Sequence, residues 1–341
     1  MIYVVNYMML GALSLTGRAA QQFLVWVAGI YLLVFVGARF ETGCDWLGYQ
    51  FRIWNFASTL PEVWARPEPL FQTLVFYLAD EPQAMLLLNA VAAVITLVGF
   101  FWFASRREYP LLFLALCFPI LFVQLGMSGI RQAMALGMFM LALEAFVSGR
   151  RLLVAAFIAI GSLFHTSVIV FLPLAFIVGV SVSLPRLGVA AALALPVMFV
   201  LGGDRFDVYT ARYLGADIES SGVYIRVALI LPSAVFFMMY QERYRQFFPR
   251  DFELMRIMAL FCLALVPLMF VSSLAAHRFY FYALPVNLLI LMRAPFVFVP
   301  FRAPPYLLAV PFLMVAAYQA VWLLTSRHAR ICYMPYESYL F

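Results

Sequence analysis

The feature that most constrains this chain is its succession of apolar runs, each interrupted by only a few charged residues. The runs are roughly 15–21 residues long, and a helix needs about 20 apolar residues to cross a hydrocarbon core of about 30 Å. With 66% hydrophobic and 11% charged residues, the chain carries more apolar surface than a soluble core can bury. The sequence therefore predicts an all-α polytopic membrane protein.

Counting the apolar runs predicts about twelve transmembrane helices. Several runs are short for a full crossing, so tilted or broken helices are expected. Residues 1–341 are expected to form a single integral membrane domain with two long connections, at 39–83 and 202–222. The predicted spans are 2–16, 23–38, 84–104, 110–126, 129–147, 151–164, 167–183, 186–201, 223–240, 254–272, 276–292 and 305–325.

The charged residues indicate which helix ends face the cytoplasm. The chain has no lysine, so all 22 basic residues are arginine. One alternating set of connections carries twelve arginines and five acidic residues, a net charge of +7, and the other carries ten arginines and eleven acidic residues, a net charge of −1. Because short basic connections are retained in the cytoplasm, both chain ends and both long connections are predicted to lie outside. The arginines form no basic stripe, so nucleic acid is not an expected partner.

The four cysteines show no metal-binding spacing, and no metal site is predicted. Cys117 and Cys262 lie in apolar runs and are expected to be packing residues. Cys44 and Cys332 share the outer face under the predicted topology, but a disulfide between them is not expected. No basic segment precedes the first apolar run, so a retained first helix is expected instead of a cleaved signal peptide.

Several ionisable residues lie where membrane helices begin or end. Such positions are costly for charged groups and therefore suggest functional sites. Arg39 and Asp45 follow the second predicted span, and Arg131 begins a helix after a Gly-Ser break. His165 and Arg278 lie at two further helix turns. All five residues are predicted to lie on the outer face.

Several arginines converging on one outer pocket favour a di-anionic ligand held in the membrane, because guanidinium groups match phosphate oxygens in pairs. A nearby carboxylate would be a suitable proton acceptor. Structural alternatives stand beside these roles. Arg39 could extend to the interface as a helix-end arginine, and His165 could be a turn histidine with a structural hydrogen bond. The aromatic residues of segment 46–64 fit an interfacial belt better than a sugar platform.

The segments that carry these residues resemble the EpsG/Wzy-type polysaccharide polymerases. In chain order they are RFETGCDWLGYQ, EPLF, SGIRQ, FHTS, HRFYFY and YMPYES, which together extend from Arg39 to the C-terminus. The resemblance implies an enzyme of the bacterial inner membrane that joins lipid-linked repeat units of O-antigen or exopolysaccharide at the periplasmic face. It also implies a GT-C-like architecture, no cofactor, undecaprenyl-diphosphate-linked donor and acceptor glycans, and a chain-length regulator protein as a further partner.

The family pattern Arg–x3–Gly–x–Asp–x3–Tyr falls on Arg39, Gly43, Asp45 and Tyr49, with Cys44 where threonine is expected. The catalytic candidates are Asp45, His165 and Glu41. Asp45 or His165 is expected to accept the proton, and Glu41 and Glu68 are held in reserve for this role. Substrate binding is assigned to Arg39, Tyr49, Glu68, Arg131, Gln132, Arg278 and Tyr336. Arg131 and Arg278, helped by Arg39, are expected to bind the lipid diphosphate and to stabilise the charge on the leaving oxygen.

Two other classes of function share much of this pattern. A lipid-linked oligosaccharide flippase would also have about twelve helices, but transporters carry polar residues that reach the midplane from both sides, and often repeated halves. Here the polar residues lie on one face and the halves do not resemble each other. An O-antigen ligase or another GT-C-type transferase would use similar pocket chemistry with a different acceptor. The sequence therefore favours a polymerase and leaves these two as alternatives.

Overall fold

The structure is a computed structural model, and it describes residues 1–202, 222–299 and 305–340. The first helices in chain order are α1 (Ile2–Ser14), α2 (Arg18–Gly37), α3 (Trp46–Trp54), α4 (Leu60–Ala65), α5 (Pro69–Leu78), α6 (Ala84–Ala104), α7 (Pro110–Cys117), α8 (Ile130–Val147) and α9 (Arg151–Phe164). A π-helical segment, Phe118–Leu125, continues α7, and a 3-10 helix, Thr166–Phe176, follows α9. The predicted connection 39–83 thus contains three helices. Most of the other long connection, 202–222, lies outside the described residues.

The remaining helices are α10 (Leu184–Gly202), α11 (Val223–Met239), α12 (Gln241–Phe247), α13 (Phe252–Val271), α14 (Ser273–Arg293), α15 (Ala309–Thr325) and α16 (Arg327–Cys332). Short 3-10 segments, Ala294–Val297 and Pro305–Leu308, follow α14 and precede α15. Two short strands, β1 (Arg39–Phe40) and β2 (Glu337–Ser338), pair antiparallel with Arg39 opposite Ser338. The described chain is therefore helical apart from this one ribbon.

Within the described residues, six helices are long and apolar enough to cross a membrane, or seven if the bent pair α11 and α12, which meets at 80°, forms one span. This confirms the prediction of an all-α polytopic membrane protein. Most of the other predicted spans correspond to apolar helices shorter than 18 residues, so the count of twelve spans remains a prediction. Proline contributes to the breaks: Pro119 lies in the π-helical segment and Pro173 within the 3-10 helix.

The described chain divides into two compact units. Unit 1 comprises Met1–Leu141, Ile160–Thr166 and Ala309–Phe341, and unit 2 comprises Ala142–Ala159 and Ser167–Leu308. In unit 1, α6 and α8 meet at Gly99 and Gly137, where a Cβ on either glycine would collide with backbone of the other helix. This close approach places the start of α8, which carries Arg131, within unit 1.

In unit 2, the connections predicted to be cytoplasmic contact one another. Arg250 donates to Glu144 at 2.7 Å, and the backbone N–H of Val182 donates to Glu253 at 2.9 Å. A third contact, between Arg293 and Asp251, is a buried ion pair of 2.5 Å. These contacts bring several of these connections together within the unit, and their sidedness remains a prediction.

A disulfide joins Cys44 to Cys332, with the two Cα atoms 4.8 Å apart. The sequence prediction that these cysteines stay unpaired is therefore wrong. They are 288 residues apart, and the β1–β2 pairing together with a hydrogen bond from the Gly43 N–H to the Cys332 carbonyl brings them together. Such a contact depends on tertiary structure, and no local pattern could indicate it. The other two cysteines, Cys117 and Cys262, are buried and free.

Candidate functional site

The first part of the predicted site is the segment that follows α2. Hydrogen bonds from the Arg39 side chain hold this segment against the neighbouring helix ends. The Arg39 side chain is 1% exposed. Its Nε donates to the carbonyls of Thr42 and Met127, each at 3.1 Å, and its Nη1 donates to the carbonyl of Val36 at 2.7 Å. Burial lowers the pKa of Arg39 to about 10, which leaves the group charged at neutral pH. Arg39 therefore organises the backbone of this segment.

The backbone conformation at Gly43 explains why the Arg–x3–Gly–x–Asp–x3–Tyr pattern has a glycine at this position. Its φ is +111°, a conformation that side chains disfavour, and a Cβ there would collide with the carbonyl oxygen of Met127. Two residues later, the backbone N–H of Asp45 donates to the Ser128 hydroxyl at 3.2 Å. Residues of this pattern therefore pack the segment against the turn before α8, the helix that carries Arg131.

The centre of the site is an ion pair between Arg131 and Glu68. Arg131 Nη1 lies 2.5 Å from Glu68 Oε2, and the two side chains are 32% and 6% exposed. Glu68 has a left-handed backbone conformation, with φ at +59°, directly before Pro69 at the start of α5. Proline disfavours the right-handed helical region in the residue before it, and the left-handed region costs a non-glycine residue about 1–3 kcal/mol. Backbone strain of this kind is found often at functional sites, and here the strained residue carries the carboxylate that pairs with Arg131.

Tyr49 and Asp45 adjoin this ion pair. Tyr49, which is buried on α3, lies close enough to Arg131 for the two side chains to interact electrostatically. Burial raises the pKa of Tyr49, and the charge of Asp45 adds to this shift, whereas the Arg131 cation opposes it. Tyr49 therefore remains a neutral phenol at neutral pH. Unlike Tyr49, the Asp45 side chain is exposed, so an incoming hydroxyl group has access to it.

A second guanidinium lies in the same cluster, and the sequence analysis missed it. Arg52, one helical turn after Tyr49 on α3, lies 5.9 Å from the centre of the Phe71 ring, and Arg131 lies 5.7 Å from the same ring. Burial lowers the pKa of Arg52, and the Arg131 cation adds to this shift. Phe71 also contacts the ring of Tyr49. The i, i+3 spacing from Tyr49 was the signal that could have identified Arg52.

His165 completes the cluster in unit 1. His165 Nε2 lies 4.0 Å from Glu68 Oε1, so Glu68 stands between the histidine and Arg131. Both His165 and Gln132 are buried. The structure therefore brings together four of the residues selected from sequence, Tyr49, Glu68, Arg131 and His165, and Gln132 follows Arg131 on α8.

Three other predicted residues have different surroundings. Glu41 is exposed, with a left-handed φ of +44°. The Tyr336 hydroxyl donates to the Phe35 carbonyl at 2.7 Å and its ring stacks on Phe35, so it anchors the C-terminal segment. Arg278 belongs to unit 2, on α14 beside His277, which contacts Arg226. Its predicted contact with the diphosphate remains a prediction.

The Arg131 side chain is 32% exposed, so part of its guanidinium can be reached by a ligand, whereas its Nε is buried and, among the described residues, has no hydrogen-bond partner. A guanidinium binds a phosphate through two neighbouring N–H groups. No group of three or more His, Cys, Asp or Glu that could hold a metal ion occurs in the described part of the chain. The arrangement can therefore bind an anion through arginine and accept a proton at a neighbouring carboxylate.

Comparison with known proteins adds one finding. The family model described as "EpsG family" matches residues 22–338. The match includes every residue of the cluster described above. No curated protein matches the chain, and no solved structure matches it.

Proposed function

Because the chain belongs to the EpsG family, we propose that it is a glycosyltransferase that joins undecaprenyl-diphosphate-linked repeat units into O-antigen or exopolysaccharide. The observation that carries the proposal is the Arg131–Glu68 ion pair, which holds a partly exposed arginine near the same phenylalanine ring as a second arginine. A diphosphate needs two such groups, and the sugar chemistry needs a proton acceptor close to them.

Arg131 and Arg52 bind the lipid diphosphate in this proposal. Both guanidinium groups lie within 6 Å of the Phe71 ring centre, so both contribute positive charge around this ring. Glu68 and Tyr49 hold Arg131 in position, which reduces the cost of orienting it when the ligand arrives. Positive charge fixed at this point stabilises the leaving diphosphate as the bond to the sugar breaks.

Asp45 is the proposed proton acceptor. A hydroxyl group of the incoming repeat unit attacks the anomeric carbon of the growing chain, the bond from that carbon to the lipid diphosphate breaks, and a new glycosidic bond forms. The hydroxyl proton passes to the Asp45 carboxylate. Asp45 is exposed and electrostatically coupled to Tyr49, whereas His165 is buried behind Glu68. His165 and Glu41 are the alternative bases.

The proposed location is the inner membrane with the site facing the periplasm. Two points support this side: the set of connections that alternates with those of the site carries a net charge of +7 in the sequence, and the Cys44–Cys332 disulfide lies next to Asp45. Disulfides persist in the periplasm and are rare in the cytosol.

Labelling with a membrane-impermeant maleimide is expected to show opposite sidedness for Glu62→Cys and Arg245→Cys in spheroplasts. Glu62→Cys should react from outside, and Arg245→Cys should react only after the membrane is permeabilised, because they replace exposed residues of α4 and α12 on predicted opposite faces. The native thiols provide a low background, since two are buried and two are paired. Reaction of both variants from the same side would overturn the topology.

The function is tested with purified protein in nanodiscs and a lipid-linked repeat unit isolated from the host cell. We expect a ladder of products that differ by one repeat unit, with release of lipid diphosphate in equal amount. Transfer of a unit only to a different lipid acceptor would identify a ligase. In proteoliposomes, transbilayer movement without new glycosidic bonds would identify a flippase. Either of these two results would overturn the proposal.

A further inference from the structure

Helix α3 has two apolar faces, and within the described residues only one of them is buried against the protein. Trp46, Tyr49 and Ile53 form the buried face. On the other face, Leu47, Phe51 and Trp54 are 61%, 58% and 68% exposed. These three residues, here called the α3 stripe, follow the i, i+4, i+7 spacing and fall within an arc of about 60° at 100° per residue. A short helix in water would not be expected to expose such a stripe.

The position of α3 is fixed relative to the ends of the membrane helices. Only eight residues separate it from the end of α2. Arg39 and the Asp45 N–H attach that segment to Met127 and Ser128, at the turn between two apolar helices. Helix α3 therefore starts at the level where apolar spans end, which is the level of lipid headgroups.

The apolar surface beside α3 also faces lipid. Helix α3 packs against α6, a candidate membrane span that keeps Leu87, Val94 and Val98 exposed along one side. Apolar side chains exposed on a membrane span contact lipid tails. The α3 stripe is thus part of a helix that adjoins a lipid-facing element of the same unit.

We propose that the α3 stripe is seated in the bilayer, at the boundary between headgroups and acyl chains, so that α3 lies in the interface as an amphipathic helix. Tryptophan and phenylalanine on one face of a surface helix favour this depth, about 5–10 Å into the boundary region. Three side chains on a narrow arc present too little area for a stable protein–protein interface, which usually buries more than about 1,000 Å². Leucine and phenylalanine beside the tryptophan offer a sugar no hydrogen-bonding side chains.

This position of α3 has a consequence for the Arg131 cluster, and that consequence rests on the proposed function. Tyr49 and Arg52 project from the same helix into the Arg131 cluster. An interfacial α3 therefore places both side chains at headgroup depth, where the diphosphate of a membrane-anchored lipid lies. The lipid carrier would reach the arginines by lateral movement within its leaflet, with its tail still in the bilayer.

The seat is tested by nitroxide labels on single introduced cysteines in nanodiscs of phosphatidylethanolamine and phosphatidylglycerol, without substrate. Labels at Leu47→Cys, Phe51→Cys and Trp54→Cys should be more accessible to oxygen than to a water-soluble nickel complex. Gly48→Cys is the matched control on the same helix, about 90° away from the stripe, where nothing lies within 4 Å of an added Cβ. Its label should be at least about threefold more accessible to the nickel complex than the stripe labels.

Two outcomes would overturn the proposal. Nickel accessibility of the stripe equal to that of Gly48→Cys would show a water-exposed face, free for sugar binding. Low accessibility to both oxygen and nickel would show that protein covers the stripe. Because no substrate is present, these results do not depend on whether the protein polymerises glycans.

Discussion

Arg131→Lys is expected to reduce polymerisation by roughly 10–150-fold, and Arg131→Ala to abolish it, with both proteins inserted at normal levels. Lysine keeps the positive charge and can keep the ion pair with Glu68, but its ammonium lacks the planar pair of N–H groups by which a guanidinium binds two phosphate oxygens. One charge-assisted hydrogen bond contributes about 1.5–3 kcal/mol, which corresponds to that range of rates. Product ladders normalised to membrane protein level provide the measurement.

The matched control is Arg245→Lys, which changes a half-exposed arginine of α12 in unit 2 and should leave the ladder unchanged. If Arg131 serves only to pair with Glu68, lysine should replace it almost freely, and full-length ladders from Arg131→Lys would assign it a structural role. Glu68→Gln adds a second comparison, because glutamine can still accept a hydrogen bond from Arg131 while the buried charge is lost.

Asp45→Asn is expected to lower the rate by roughly 10²–10⁴-fold, which is the usual contribution of a general base. The amide keeps the shape of the side chain, and the backbone contact from Asp45 to Ser128 does not involve the carboxylate. Folding should therefore be unaffected. The measurement is the initial rate of bond formation at saturating lipid-linked substrate, with protein level and thermal stability measured on the same preparations.

Glu81→Gln is the control for Asp45→Asn, because it removes another exposed carboxylate from the same connection. Its rate should equal that of the unmodified protein. Near-normal activity of Asp45→Asn would contradict its assignment and move the base to His165 or Glu41. His165→Gln and Glu41→Gln, assayed in the same way, would then distinguish the two.

The apolar segments could be located from sequence because lipid imposes a local requirement on each segment. The predicted span 84–104 coincides with α6, and the predicted span 151–164 coincides with α9. Charged residues mark the ends of such helices without reference to the rest of the fold. Arg131 and His165 were selected for a similar local reason, since each lies where a helix begins or ends.

The partners of these residues could not be read from local patterns. Arg131 and Glu68 are 63 residues apart, and Cys44 and Cys332 are 288 apart. Arg39 shows the same limit: its position beside Asp45 predicted ligand binding, whereas its N–H groups are directed to backbone carbonyls. Arg52 was missed because it lies within a connection that carried no helix prediction.

The sequence by itself determined that this chain is a helical membrane protein, where its long apolar helices lie and which residue types stand at their ends, because each follows from hydrophobicity over one helical segment. Only the tertiary structure decided that Glu68 holds Arg131, that the C-terminal segment is joined to the Asp45 segment, and that α3 exposes an apolar stripe. These features depend on how helices pack, and packing brings together residues whose separation along the chain carries no signal of their contact.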